Sequence, residues 1–156
     1  MPRLPINYQN TIIYKICCKD PDVTDIYVGL TTDLRNRRNT HKCHCNNVKC
    51  SQYNSYMYRF IRDNGGWDNW QIVVVENFPC QNKTEGEQRE RYWLEYLHAT
   101  LNKNVPTRTI EEYRTTDTYK EYIKQYKIKN RERIKEKDKQ SLARRNELKK
   151  QSMLNL

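Results

Sequence analysis

Two short apolar runs open the chain, separated by a turn. Residues 11–18, Thr-Ile-Ile-Tyr-Lys-Ile-Cys-Cys, are rich in β-branched and aromatic types and predict a strand. Residues 19–24 contain Lys-Asp-Pro-Asp, a turn signal, and residues 25–29, Asp-Ile-Tyr-Val-Gly, predict a second strand. So short a connection predicts an antiparallel hairpin that brings Tyr14 and Tyr27 near each other. After Thr31, Thr32 or Asp33 can cap a helix, and residues 33–45 take helical spacing. Residues 53–64 place Tyr53, Tyr56, Met57, Phe60 and Ile61 on one stripe, as in a helix laid on a core, and Gly65-Gly66 ends it. Trp70 to Glu76, with Ile72-Val73-Val74-Val75 inside it, predicts a third strand buried on both faces.

Asn77 to Lys83 reads as a loop, and Thr84 to His98 as a helix whose buried face is Tyr92, Trp93, Tyr96 and Leu97. Composition changes after Pro106. Thr109-Ile110-Glu111-Glu112 is a helix start, and from there to about Lys150 neither Gly nor Pro occurs. Tyr119, Tyr122, Ile123 and Tyr126 form a weak stripe, and the apolar positions beyond it are too few to build a core. The pattern therefore predicts an α/β fold. A small three-stranded antiparallel sheet flanked by helices occupies residues 8–105. A long basic helix follows at 106–156, partly disordered when free.

Charge sharpens this division. Residues 1–102 hold 13 Lys and Arg against 11 Asp and Glu, a net of +2, whereas residues 103–156 hold 16 against 8, a net of +8. A nearly neutral body with a basic tail points to a polyanionic partner, with DNA foremost, although a plain solubilising segment has the same composition. Lys120, Lys124, Lys127 and Arg131 step by three or four residues and can follow a phosphate backbone. No apolar run of the ~18 residues needed to cross a membrane occurs. The N-terminal Met-Pro-Arg-Leu-Pro-Ile-Asn-Tyr has no apolar signal core, so the expectation is an intracellular protein.

The candidate chemistry starts at Arg37 and His41. Four residues apart on a helix, they share one face beside the tyrosine of a strand end. A guanidinium binds phosphate oxygens in a fork, and an imidazole relays protons near neutral pH. Arg35, Arg38 and Lys42 make the same helix basic; they are candidates for flanking phosphate contacts or simply a solvated face. His41, Cys43, His44, Cys45 and Cys50 are zinc-type donors, yet no Cys-x-x-Cys pair or second knuckle accompanies them, and zinc is not expected there.

These residues resemble the GIY-YIG nuclease superfamily. Tyr27-Val28-Gly29 reads as its Tyr-Ile-Gly, and Ile12-Ile13-Tyr14 as its Gly-Ile-Tyr, with Ile12 in place of the glycine. Arg37 and His41 stand in the helix after the second motif, and Glu90 and Asn102 match the later Glu and Asn. The likeness covers about residues 10–104. It implies a metal-dependent endonuclease acting on DNA. Glu90 would bind Mg²⁺ or Mn²⁺, Arg37 would neutralise charge at phosphorus, and Tyr14 would act as general base toward water. Tyr27 and His41 would complete the cluster, while Gly29 and Asn102 support it, Asn102 by holding the loop that follows. On spacing alone Glu87 and Glu95 rival Glu90. The tail's tyrosines and lysines resemble those of such nucleases carried by large DNA viruses, which implies a virus-encoded origin. The alternative is a non-catalytic nucleic-acid-binding protein, either one that keeps the fold or one stabilised by zinc around Cys43, Cys45 and Cys50.

Overall fold

Strands β1 (Ile12–Cys18), β2 (Ile26–Thr31) and β3 (Trp70–Asn77) form one antiparallel sheet in the order β2-β1-β3. The computed structural model describes residues 5–154; the first four residues of the N-terminal segment read for a signal core lie outside them. Helices α1 (Leu34–Asn46), α2 (Tyr56–Asp63) and α3 (Lys83–Tyr96) accompany the sheet. The expected three-stranded antiparallel sheet with flanking helices is what the chain builds.

β1 lies in the centre, and its alternation feeds two cores. Tyr14, Ile16 and Cys18 pack with Cys45 of α1, Met57, Tyr58 and Ile61 of α2, and Trp67 and Trp70. Ile13 packs with Val28 and with Leu94 of α3 on the opposite face. The strand expected to be buried on both faces, β3, is instead an edge strand with Val74 42% exposed. An apolar run cannot tell a central strand from an edge one. Here β1 takes the centre because both other strands pair with it.

Two helix faces also differ from the pattern. α2 starts three residues later than expected, after Ser55, and buries Met57, Tyr58 and Ile61 while Tyr56 is exposed. On α3 the buried residues are Gly86 and Leu94, and Tyr92 and Tyr96 face outward. Polar anchors set that rotation. The Arg89 guanidinium donates to both Glu76 carboxylate oxygens of β3, at 2.6 and 2.9 Å, and the Trp93 indole N–H donates to the same carboxylate at 2.6 Å. Tyr92 and Tyr96 then stack on each other at 12°, with the Arg89 guanidinium 4.6 Å from the Tyr92 ring centre.

The chain divides into two compact units, residues 1–107 and 108–156. The second consists of α4 (Ile110–Thr115), α5 (Asp117–Lys129) and α6 (Arg131–Leu154). The expected start at Thr109 is present as a capping box with Glu112. The single long helix expected beyond it is interrupted at Thr116 and Asn130. Thr116 turns extended and its hydroxyl accepts from the Tyr119 N–H, so cap chemistry restarts the helix. Asn130 leaves helical geometry and its side chain donates to the Tyr126 carbonyl at 2.9 Å. No helix among the described residues is long and apolar enough to cross a membrane.

Candidate active site

The site grows from the β1–β2 register. Tyr14 pairs with Gly29 and Ile16 with Tyr27, so the two tyrosines are diagonal neighbours on one face, their ring centres 6.4 Å apart. On its other side β1 meets a bulge in β3: Ile13 pairs with Glu76 but Tyr14 with Val74. A bulge here re-aims the chain next to a functional side chain. The cap of α1 is Asp33, whose carboxylate accepts from the Asn36 N–H at 2.9 Å. That start point turns Arg37 and His41 toward the tyrosines. The Arg37 Nε–H donates to the Tyr14 hydroxyl at 2.8 Å, and His41 Nε2 lies 2.8 Å from the same oxygen.

His41 is fully enclosed. Its ring stacks on Trp67 at 13°, and its Nδ1 lies 2.8 Å from the Tyr58 hydroxyl. The same hydroxyl lies 3.2 Å from His44 Nδ1. Burial, with Arg37 and His44 adding charge nearby, lowers the His41 pKa to about 3, so the ring is neutral at ordinary pH. Burial also pushes the Tyr14 and Tyr27 phenols up, and the Arg37 guanidinium pulls both only partway back. Burial works against the Arg37 charge, but Tyr14 and Tyr27 outweigh it and hold the guanidinium protonated.

An open cleft of about 520 Å³ lies beside this cluster. Tyr27 of β2 and Arg37 and His44 of α1 line it, together with Glu87 and Glu90 of α3 and Asn102. Tyr14, with no exposed surface, sits behind it. Glu95, paired with Arg91 at 2.8 Å, does not line it, and Glu87 is paired with Lys83 at 2.8 Å. Burial, then the neighbouring Glu87, raises the Glu90 pKa to about 7, while Arg37 and Lys83 draw it down less.

The sequence model of the GIY-YIG catalytic domain matches residues 10–104. The chain belongs to the GIY-YIG family. No curated protein and no solved structure matches it. Family membership supports nuclease action on DNA, and the matched span holds the tyrosine pair, Arg37, His41, Glu90 and Asn102.

Within this GIY-YIG domain Asn102 departs from expectation. Rather than holding the loop after it, its side chain accepts from the Val28 N–H at 2.9 Å and donates to the Val28 carbonyl at 2.7 Å. The Leu101 N–H adds a bond to the Ile26 carbonyl at 3.1 Å. An amide side chain thus pairs the free edge of β2 as another strand would. It ties the segment after α3 to the strand that carries Tyr27.

GIY-YIG nucleases generally depend on a divalent metal, and the cleft fits one. Among the described residues no group of three or more His, Cys, Asp or Glu is arranged to hold an ion. Glu90, half-buried beside the Lys83-paired Glu87, offers a carboxylate that suits Mg²⁺, which keeps several waters and completes its shell with substrate phosphate oxygens. In the zinc-type segment, Cys45 is buried, His41 is engaged by tyrosines, and Cys43 and Cys50 Sγ lie 3.1 Å apart.

The other basic candidates are surface residues. Arg35, Arg38 and Lys42 are exposed on α1 and do not line the cleft. Lys120, Lys124 and Lys127 are exposed along α5, and Arg131 opens α6. Lys120 pairs with Asp117 at 3.4 Å and Lys124 with Glu121 at 3.8 Å. Sequence reasoning missed Tyr58 and His44 as members of the cluster. His44 follows His41 by three residues, so the helical spacing that linked Arg37 to His41 could have found it. Tyr58 was hidden by a stripe drawn out of phase.

Proposed function

We propose that this chain is a divalent-metal-dependent endonuclease that hydrolyses DNA phosphodiester bonds in the cleft beside β2. The observation that carries the reading is the meeting of two opposite groups there. Arg37 is a cation held in place by its bond to Tyr14, and Glu90 lines the same cleft from α3, its carboxyl pushed up to about 7 by burial and then by the neighbouring Glu87.

Each residue then has a task. Arg37 binds the scissile phosphate and offsets the charge that grows on it. Glu90 would hold Mg²⁺ or Mn²⁺, which would supply Lewis-acid stabilisation of charge on the phosphate and the leaving oxygen. The tyrosine pair receives the proton of the attacking water. Tyr27 is the member that lines the cleft, so it meets water, and the base role expected of Tyr14 becomes that of the buried partner behind it. A free phenol, at a pKa of about 10, is a poor base at neutral pH. Burial raises both phenols further, so the proton must move on as it arrives, and His41 Nε2 is the acceptor beside Tyr14. Gly29 gives Tyr14 its space and Asn102 fixes the β2 edge. Arg35, Arg38 and Lys42, and the exposed Lys120, Lys124, Lys127 and Arg131 of the basic unit, contact backbone phosphates and carry no sequence information.

The test is incubation of supercoiled plasmid with the full chain, with Mg²⁺ or Mn²⁺ and with chelator. Nicked or linear product that depends on the added ion supports the reading. A purified, folded chain that yields no product with either ion contradicts it.

A further inference from the structure

We propose that Tyr58 and His44 carry the proton of the cleavage reaction out of the tyrosine pair, through the hydrogen-bonded series Tyr14–His41–Tyr58–His44. The inference rests on the nuclease reading and adds to it a route and two residues.

The directions follow from the donors. Arg37 Nε–H can only donate, so the Tyr14 oxygen accepts from it and its own proton is free to go to His41 Nε2. A neutral imidazole that accepts at Nε2 carries its proton at Nδ1, and there it donates to the Tyr58 oxygen at 2.8 Å. The Tyr58 proton is then directed at His44 Nδ1, 3.2 Å away. Tyr14, His41 and Tyr58 each accept one bond and offer the next.

The identity of Tyr58 matters. An imidazole is usually oriented by a carbonyl or a carboxylate. Either would fix the ring, but a carbonyl has no proton to pass on and a carboxylate would store the charge beside His41. A hydroxyl accepts on one side and donates on the other. The groups around His41 that could hold charge are Tyr14, Tyr27, Arg37, His44 and Tyr58. Burial and Arg37 both oppose an imidazolium at His41. The proton therefore cannot rest there and must pass through.

The step balances. As the water oxygen forms its bond to phosphorus and the P–O bond to the leaving group breaks, one water proton goes to the Tyr27 oxygen while Tyr27 passes its own proton to its hydrogen-bond partner Tyr14, and the leaving oxygen takes its proton from solvent water. Tyr14 gives its proton to His41 Nε2, His41 gives its Nδ1 proton to Tyr58, and Tyr58 gives its proton to His44 Nδ1. His41 ends neutral with its tautomer reversed. His44, half-buried and lining the cleft, holds the extra proton until it passes to buffer.

The experiment compares full-length parent, His44→Ala and Tyr58→Phe in single-turnover cleavage with Mg²⁺, with and without added imidazole. His44→Ala should slow cleavage by roughly a hundredfold, the lower end of the range of proton-transfer catalysis. Its DNA affinity should be unchanged, and imidazole should restore the rate. Tyr58→Phe breaks the series inside the protein, so imidazole should not rescue it. Nitrogen NMR of the parent should find resting His41 protonated at Nδ1 and bare at Nε2. His44→Ala at the parent rate, a loss that imidazole leaves untouched, or His41 protonated at Nε2 at rest would overturn the relay. A folded parent that cleaves nothing would overturn the nuclease reading and the relay's reaction together. Cleavage by the parent with His44→Ala unaffected would overturn the relay alone.

Discussion

Gly29 stands opposite Tyr14 across the β1–β2 ladder, and the Tyr14 side chain fills the space a residue there would need. A Cβ at position 29 would lie 2.5 Å from the Tyr14 hydroxyl oxygen and 2.7 Å from Cζ. The conflict is with a ring locked by Arg37 and His41, not with a flexible chain end. Gly29→Ala should therefore behave as an overpacked core variant, losing about 1–3 kcal/mol. It should also displace the hydroxyl from its two partners. Thermal unfolding should show the loss, and cleavage should fall with it even below the melting range. Parent-like stability and rate would mean that Tyr14 has room to move.

Arg37→Ala separates binding from chemistry. Removing one preorganised electrostatic group typically costs roughly a hundredfold to a thousandfold in rate. Arg37 is one of eight basic side chains proposed to meet phosphate, so DNA affinity should change far less than turnover. Equal losses in a binding titration and a single-turnover assay would recast Arg37 as an ordinary phosphate anchor.

His41 gives the fold a pH dependence of definite sign. Its pKa is 6.5 when unfolded and about 3 when folded. Between these values the unfolded chain binds the extra proton, so stability rises with pH. The stabilisation is fully present above about pH 6.5 and is lost as pH falls toward 3. Urea unfolding at a series of pH values should show this slope in the parent and a flatter one in His41→Gln. An equal slope in both would place the acid sensitivity elsewhere.

The basic unit should supply long-range attraction without sequence preference. A chain ending at Thr107, the limit of the first compact unit, should keep the chemical step but bind DNA more weakly. On duplex DNA each phosphate contact contributes roughly −0.9 to the log–log salt slope, so that slope should flatten. Circular dichroism of the full chain should gain helix on adding DNA if α4–α6 fray when free. Unchanged affinity and salt slope after truncation would assign the basic unit another role.

Much of this was legible in the sequence because the signals were local. β-branched runs gave three strands, Asp33 and Thr109 announced caps, and the four-residue step placed Arg37 with His41. What stayed hidden was tertiary. Strand order decides which apolar run is central, and only the fold shows that β1 is. The rotation of α3 is set by Arg89 and Trp93 reaching Glu76 on another element, so a hydrophobic stripe misplaced Tyr92 and Tyr96. Asn102 works on Val28, 74 residues away, which no local rule reveals. Tyr58 joins the cluster only because α2 begins at Tyr56 and turns its hydroxyl toward His41.

Every role given to the metal depends on Glu90. The most direct test is Mg²⁺-dependent plasmid cleavage by Glu90→Gln beside the parent and Glu87→Gln. The amide keeps the size of the side chain and removes the charge that would hold the ion, so Glu90→Gln should fold, bind DNA and cut none of it. Glu87→Gln, whose parent carboxylate is paired with Lys83, should retain cleavage. Cleavage by Glu90→Gln at the parent rate would contradict the central claim, and its loss in Glu87→Gln instead would move the metal one turn along α3.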